Sequence, residues 1–147
     1  MKNLIIILTI LLSNTVFSQN RDKLITKEEL PKESIEFLNT YFSDTKENII
    51  RVDYDIWIED YQVFLDNTEI EFYKSGKLKE IKCRNGVDYK ILPKEIIKDL
   101  LSRYKNPIIK EFQIDIESKR RVYYEVTLRG GLELTYNKRF KLVNIDY

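Results

Sequence analysis

Leu92-Pro93-Lys94-Glu95 repeats Leu30-Pro31-Lys32-Glu33 at an offset of 62 residues, and each copy opens a similar succession of signals. After the first, Ile35, Leu38 and Phe42 recur at helical spacing with Tyr41 beside them; after the second, Ile96, Ile97, Leu100, Leu101 and Tyr104 make a wider stripe. A proline in the first helical turn loses nothing, because its missing N–H would have no partner there. The spacing predicts one amphipathic helix in each half. The period then changes to two. Ile50, Val52 and Tyr54 alternate with Arg51 and Asp53, as Phe112, Ile114 and Ile116 do with Gln113 and Asp115. Tyr61, Val63 and Leu65, then Ile70 and Phe72, continue the first set; Tyr124, Val126 and Leu128, then Leu134 and Tyr136, continue the second. Turn residues separate these runs at Asp66-Asn67, Ser75-Gly76 and Gly130-Gly131, as expected between antiparallel strands.

The expected fold is α+β: a tandem repeat of a helix followed by a four-stranded antiparallel sheet, over residues 30–83 and 92–147. Residues 19–29 form a lead-in. The bridge 84–91, with its turn pair Asn85-Gly86, is short enough to hold both units in one curved sheet. Leu78 and Ile81 differ in strand parity, as do Leu142 and Ile145, which leaves open a bulge or a two-sided last strand. One helix covers only one face of a sheet, so the helices are expected on one face and water on the other. The open face would carry Arg51, Asp53, Gln62, Phe64, Glu69, Glu71 and Tyr73, and from the second half Gln113, Asp115, Tyr123, Glu125, Thr127, Glu133 and Thr135.

The first eighteen residues read as an export signal. Lys2 precedes the apolar run Leu4 to Leu12, Ser13 and Asn14 break it, and Val16 and Ser18 are small enough for a cleavage site before Gln19. The run is well short of the roughly 20 residues that span a bilayer, and no cysteine follows it to carry a lipid. The expected product is periplasmic or secreted. Composition then narrows its chemistry. With no histidine, a Ser-His-Asp or Cys-His centre and an imidazole metal site are excluded. Cys83 is the sole cysteine, which excludes an internal disulfide. The full chain has 25 basic and 24 acidic residues, not the basic excess that nucleic-acid binding demands.

The Ile25-Thr26 lead-in, Leu30-Pro31 before a helix ending in Tyr41-Phe42, and the run from Glu69-Ile70-Glu71-Phe72 through Lys74-Ser75-Gly76-Lys77-Leu78-Lys79-Glu80-Ile81 resemble the exported PepSY-like family. That family is similar to the beta-lactamase inhibitor protein, and the resemblance, over residues 24 to 147, implies a tandem helix-plus-sheet fold with a concave sheet surface. The second half has Phe140 where the first has Gly76. No inhibitory contact residue carries over.

Function then concerns the open face. Phe64, Tyr73 and Tyr123 fall on its parity, with Trp57 in the first strand connection and Glu69 and Glu133 among them. Rings amid charges suit protein or peptide recognition, inhibition included, because they offer large contact area at low entropic cost. Cross-strand aromatics also stabilise sheets, which is their plain structural role. Glu69, Glu71, Glu125 and Glu133 could in principle divide acid and base roles, but a solvated face gives them no reason to do so, and no nucleophile or phosphate-loop motif is present. The chain reads as non-enzymatic, with no cofactor. The alternative is a small-ligand or calcium-binding envelope protein, for which Asp53, Asp55, Glu59 and Asp60 supply hard oxygens at a spacing that matches no EF-hand. Lys119-Arg120-Arg121 reads as a solvated turn.

Overall fold

The computed structural model describes residues 23–45, 49–54, 59–118 and 121–147. The signal-peptide reading therefore lies outside the described residues. Strand β1 (Lys23–Leu24) is followed by helix α1 (Lys32–Tyr41), then β2 (Ile49–Tyr54), β3 (Glu59–Phe64), β4 (Thr68–Tyr73) and β5 (Leu78–Cys83). Helix α2 (Lys94–Arg103) leads into β6 (Ile109–Ser118), β7 (Arg121–Leu128), β8 (Glu133–Asn137) and β9 (Leu142–Asp146). These strands form one nine-stranded sheet in chain order, every neighbour antiparallel.

This corrects the expected tandem repeat of two helix-plus-four-stranded-sheet units. The reason lies in the backbone. A strand at a sheet edge presents unpaired N–H and C=O groups, and two separate four-stranded sheets would each leave such edges. Here β5 and β6 satisfy one another, with Glu80 opposite Gln113, Ile81 opposite Phe112 and Lys82 opposite Glu111. The lead-in also joins the sheet: Lys23 and Leu24 pair with Val52 and Arg51, and the Ile25 N–H donates to the Ile50 carbonyl at 3.1 Å.

One apolar row crosses the sheet in register from β2 to β8: Ile50, Val63, Ile70, Ile81, Phe112, Val126 and Leu134. Leu38 of α1 and Ile96 and Leu100 of α2 are fully buried in the same cluster. Each such side chain removed from water contributes about 1.5–3 kcal/mol, so the helices are held by this face rather than by their own short length. The Tyr136 hydroxyl donates to Asp99 Oδ2 at 3.0 Å, and Arg103 Nε donates to the same oxygen at 2.7 Å, fastening α2 over β8. The hydrogen bond from Arg103, with help from Tyr136, holds the Asp99 carboxyl below its usual range against the opposing effect of burial.

The parity puzzle resolves as bulges. Glu71 pairs with Glu80 and Phe72 with Leu78, which makes Lys79 the extra residue; Thr135 pairs with Asn144 and Tyr136 with Leu142, which makes Val143 the extra one. An inserted residue shifts side-chain parity, so Leu78 and Ile81 both reach the core side. In the β4–β5 turn Gly76 has φ +86°, and Ser34 Oγ of α1 donates to its carbonyl at 3.1 Å. In the β8–β9 turn Phe140 adopts φ +58° instead, and its ring packs 5.1 Å from that of Tyr124.

Candidate functional site

The side of the sheet opposite the core carries three polar rows, each fixed by strand register. The middle row runs Arg51, Gln62, Glu71, Glu80, Gln113, Glu125, Thr135 and Asn144, one residue from each strand β2 to β9. Toward the β3–β4 turn a second row runs Phe64, Glu69, Lys82, Glu111, Thr127, Glu133 and Asp146. On the other side Asp60 lies opposite Tyr73, and Asp115, Tyr123 and Asn137 continue that row beyond the bulge.

The β2–β5 part of this surface is knitted together. Arg51 donates to Gln62 Oε1 through Nε at 2.9 Å and through Nη2, and its guanidinium lies 5.1 Å above the Phe64 ring. Gln62 Nε2 donates to Glu71 at 3.3 Å. Lys79, the bulge residue, bridges Asp60 at 2.6 Å and Glu71 at 3.1 Å. Lys82 does the same between Glu80 at 2.6 Å and Glu111 at 3.8 Å. Burial works against the Lys79 ammonium, but its hydrogen bonds to Asp60 and Glu71 outweigh that effect and raise its pKa. Across β6 to β8 the balance is different. Burial, then the charges of Glu133 and Asp115, push the Glu125 carboxyl up; burial also raises Glu111, with Lys82 opposing and Glu80 adding to the rise.

A raised carboxylate pKa means that the folded state binds its proton more tightly than the unfolded chain. The associated stability is present below the unfolded pKa and is lost as pH rises through the folded value. Glu125→Gln should therefore raise Tm at pH 7 by about 1–3 °C, a small effect because the site is partly solvated. That gain should vanish near pH 4, where the wild-type carboxyl is itself neutral. Equal shifts at both pH values in thermal melts would contradict this account of the face.

The residues expected to bind are distributed unevenly. Phe64 and Glu69 are direct cross-strand neighbours. Glu133 shares their row but sits four strands from Glu69, roughly 19 Å at 4.8 Å per strand. Tyr73 and Tyr123 share another row with their backbones three strands apart, roughly 14 Å, and Phe64 lies in a different row. The Tyr73 hydroxyl donates to the Ile114 carbonyl at 2.8 Å, which lays its ring across β5. Trp57 and Asp55 lie outside the described residues. Lys79, Glu80, Lys82 and Glu111 were absent from the expected site. The parity of Lys79, Glu80 and Lys82 depends on the β5 bulge, for which the only sequence signal was the Leu78–Ile81 mismatch, whereas Glu111 simply continues the alternation of Gln113 and Asp115.

A cleft of about 450 Å³ opens at the β3–β4 turn end of the face, where Asp66, Glu69 and Glu111 meet Lys82, Arg84 and Lys110 around Phe64 and Cys83. The Thr68 hydroxyl donates to Cys83 Sγ at 3.3 Å. Among the described residues no group of three metal-ligating side chains converges, and no helix is long and apolar enough to cross a membrane.

Three solved structures share this fold. A "putative periplasmic protein" of the DUF2874 family from Bacteroides vulgatus is 26% identical, covers 88% of this chain and 99% of its own, and superposes with a TM-score of 0.77. A "putative calcium-regulated periplasmic protein" from Bacteroides thetaiotaomicron is 28% identical over 86% of this chain and 97% of its own, also with a TM-score of 0.77. A further periplasmic protein "of unknown function" from Bacteroides vulgatus is 26% identical, covers 86% of this chain and 99% of its own, and gives 0.75. No curated protein matches the chain. Residues 59–144, from β3 into β9, match the family described as "Putative beta-lactamase-inhibitor-like, PepSY-like". This chain belongs to that PepSY-like family.

Proposed function

We propose that the chain is an exported, non-enzymatic binding module that recognises a protein or peptide through the polar face of its sheet, with inhibition of a target enzyme as one form this could take. The observation that carries the reading is the middle row, which runs from Arg51 to Asn144 across eight strands on the side away from the helices. A hydrogen-bonded sheet is a rigid platform, and binding to it needs little ordering of the protein itself. The inhibitor-like family description and the periplasmic description of the similar structures agree with this role and with export.

The test is capture from an envelope extract of the exporting cell with residues 19–147, followed by identification of the retained protein. Thr135→Arg plants a bulky charge in the middle of the face and should abolish capture, while Phe64→Ala should weaken it. Glu36→Ala on the exposed side of α1 should leave it intact. Capture that survives Thr135→Arg would sink the reading.

A second reading, calcium binding, draws on the name of the Bacteroides thetaiotaomicron protein and on the register pairing of Asp53 with Asp60. It predicts a rise in Tm on adding calcium, because a ligand held only by the folded state stabilises it. An unchanged melt removes this reading and leaves the first untouched.

A further inference from the structure

We infer that the partner seated on the sheet face is a basic peptide segment, rich in lysine and arginine, carried by a protein; this rests on the reading of the face as a binding surface. The three rows, with Lys79, hold nine carboxylates and three cations, a formal charge of −6 in a chain whose total is +1. The charged residues at the two ends of the rows partly offset this, Asp66, Arg84 and Lys110 at one and Arg121, Lys138 and Arg139 at the other, for ten carboxylates against eight cations in all. The charge excess is therefore local to the rows themselves.

The cations present are already committed. Lys79 and Lys82 each join two carboxylates, and Arg51 is engaged by Gln62 and Phe64. Among the described residues no cation pairs with Glu125, Glu133 or Asp115, and these three repel one another enough to help raise the Glu125 pKa. The face is also short of a donor at Asp60. Its Oδ2 binds Lys79, while its Oδ1 has no hydrogen-bond partner among the described residues, although Asp60 is only 8% exposed. An unpaired buried oxygen is costly, and since this one is sealed from solvent a partner's donors would meet the exposed carboxylates of the rows instead.

The spread of the charges selects the kind of cation. From Glu71 on β4 to Asp146 on β9 the carboxylates extend over five strand spacings, roughly 24 Å. They do not converge on a point as one metal ion would require. An extended chain with several cationic side chains matches that spacing. Nucleic acid and anionic lipid would be repelled by the same field.

The test uses residues 19–147 titrated with oligolysine and oligoglutamate peptides. Oligolysine should bind and oligoglutamate should not, and the oligolysine affinity should fall at least about tenfold between about 20 mM and about 200 mM sodium chloride. The double variant Glu125→Gln/Glu133→Gln should weaken oligolysine about threefold to tenfold, the size expected for losing two exposed ion pairs. Glu33→Gln/Glu36→Gln on α1, with the same charge change elsewhere, should not. Absence of oligolysine binding, or equal weakening by both double variants, overturns the inference. If oligolysine fails while envelope capture is still lost with Thr135→Arg, the face binds a partner that is not basic; if both fail, the recognition reading falls as well.

Discussion

Gly76→Ala is expected to destabilise the protein by about 2–5 kcal/mol, a large fraction of a typical domain's total. Two causes add. At φ +86° a Cβ strains the backbone, a cost of about 1–2 kcal/mol. The new methyl would also stand 2.7 Å from Pro31 Cβ and 3.2 Å from both Glu33 Cβ and Ser34 Oγ, and forced overpacking costs about 1–3 kcal/mol. Neither Pro31 nor the first turn of α1 can move without carrying the helix off the β4–β5 turn, where Ser34 is hydrogen-bonded to the Gly76 carbonyl. Gly130→Ala is the control. It too has positive φ, +111°, but nothing lies within 4 Å of its added Cβ, so only the backbone cost remains. Chemical denaturation of the two variants should separate them by at least about 1 kcal/mol. Equal losses would mean that the α1 contact contributes nothing.

The second large effect concerns the middle of the sheet. Phe112 is 1% exposed, lies opposite Ile81 across the β5–β6 boundary and stacks at 6.4 Å on Tyr124. Phe112→Ala should cost about 3–5 kcal/mol through lost burial and the cavity left behind. The unfolding of both wild type and variant should remain a single transition by fluorescence and circular dichroism alike, because the apolar row crosses that boundary without a break. Two separated transitions, with the variant shifting only the one that involves β6–β9, would show that the halves fold independently.

The helices and the interior were legible in the sequence because apolar spacing reports which side chains share a face. Ile35 with Leu38, and Ile96 with Leu100, marked α1 and α2, and the alternation around Val63, Ile70, Val126 and Leu134 marked the buried row. That both halves share one sheet was readable only from the shortness of the 84–91 bridge, not from the apolar spacing. Every residue of an edge strand offers the same backbone donor and acceptor, so no side-chain pattern records that β5 meets β6. The site was readable in part. Alternation placed Phe64, Tyr73, Glu69 and Tyr123 on the polar side, but only register shows that Phe64 lies opposite Glu69 while the backbones of Tyr73 and Tyr123 stand three strands apart. Lys79 and Glu80 escaped because one inserted residue reverses parity, and sequence alone allowed either outcome.

The β5–β6 pairing also bears on how the protein could be shortened or recombined. A gene cut in the 84–91 bridge would release two fragments, each with raw hydrogen-bonding groups where its sibling had been and an apolar flank sliced open at Ile81 or Phe112. Such pieces would seek replacement strands from any neighbour. Half-length versions are thus poor raw material for engineering, and grafts of new loops or residues onto this scaffold should leave that central joint alone.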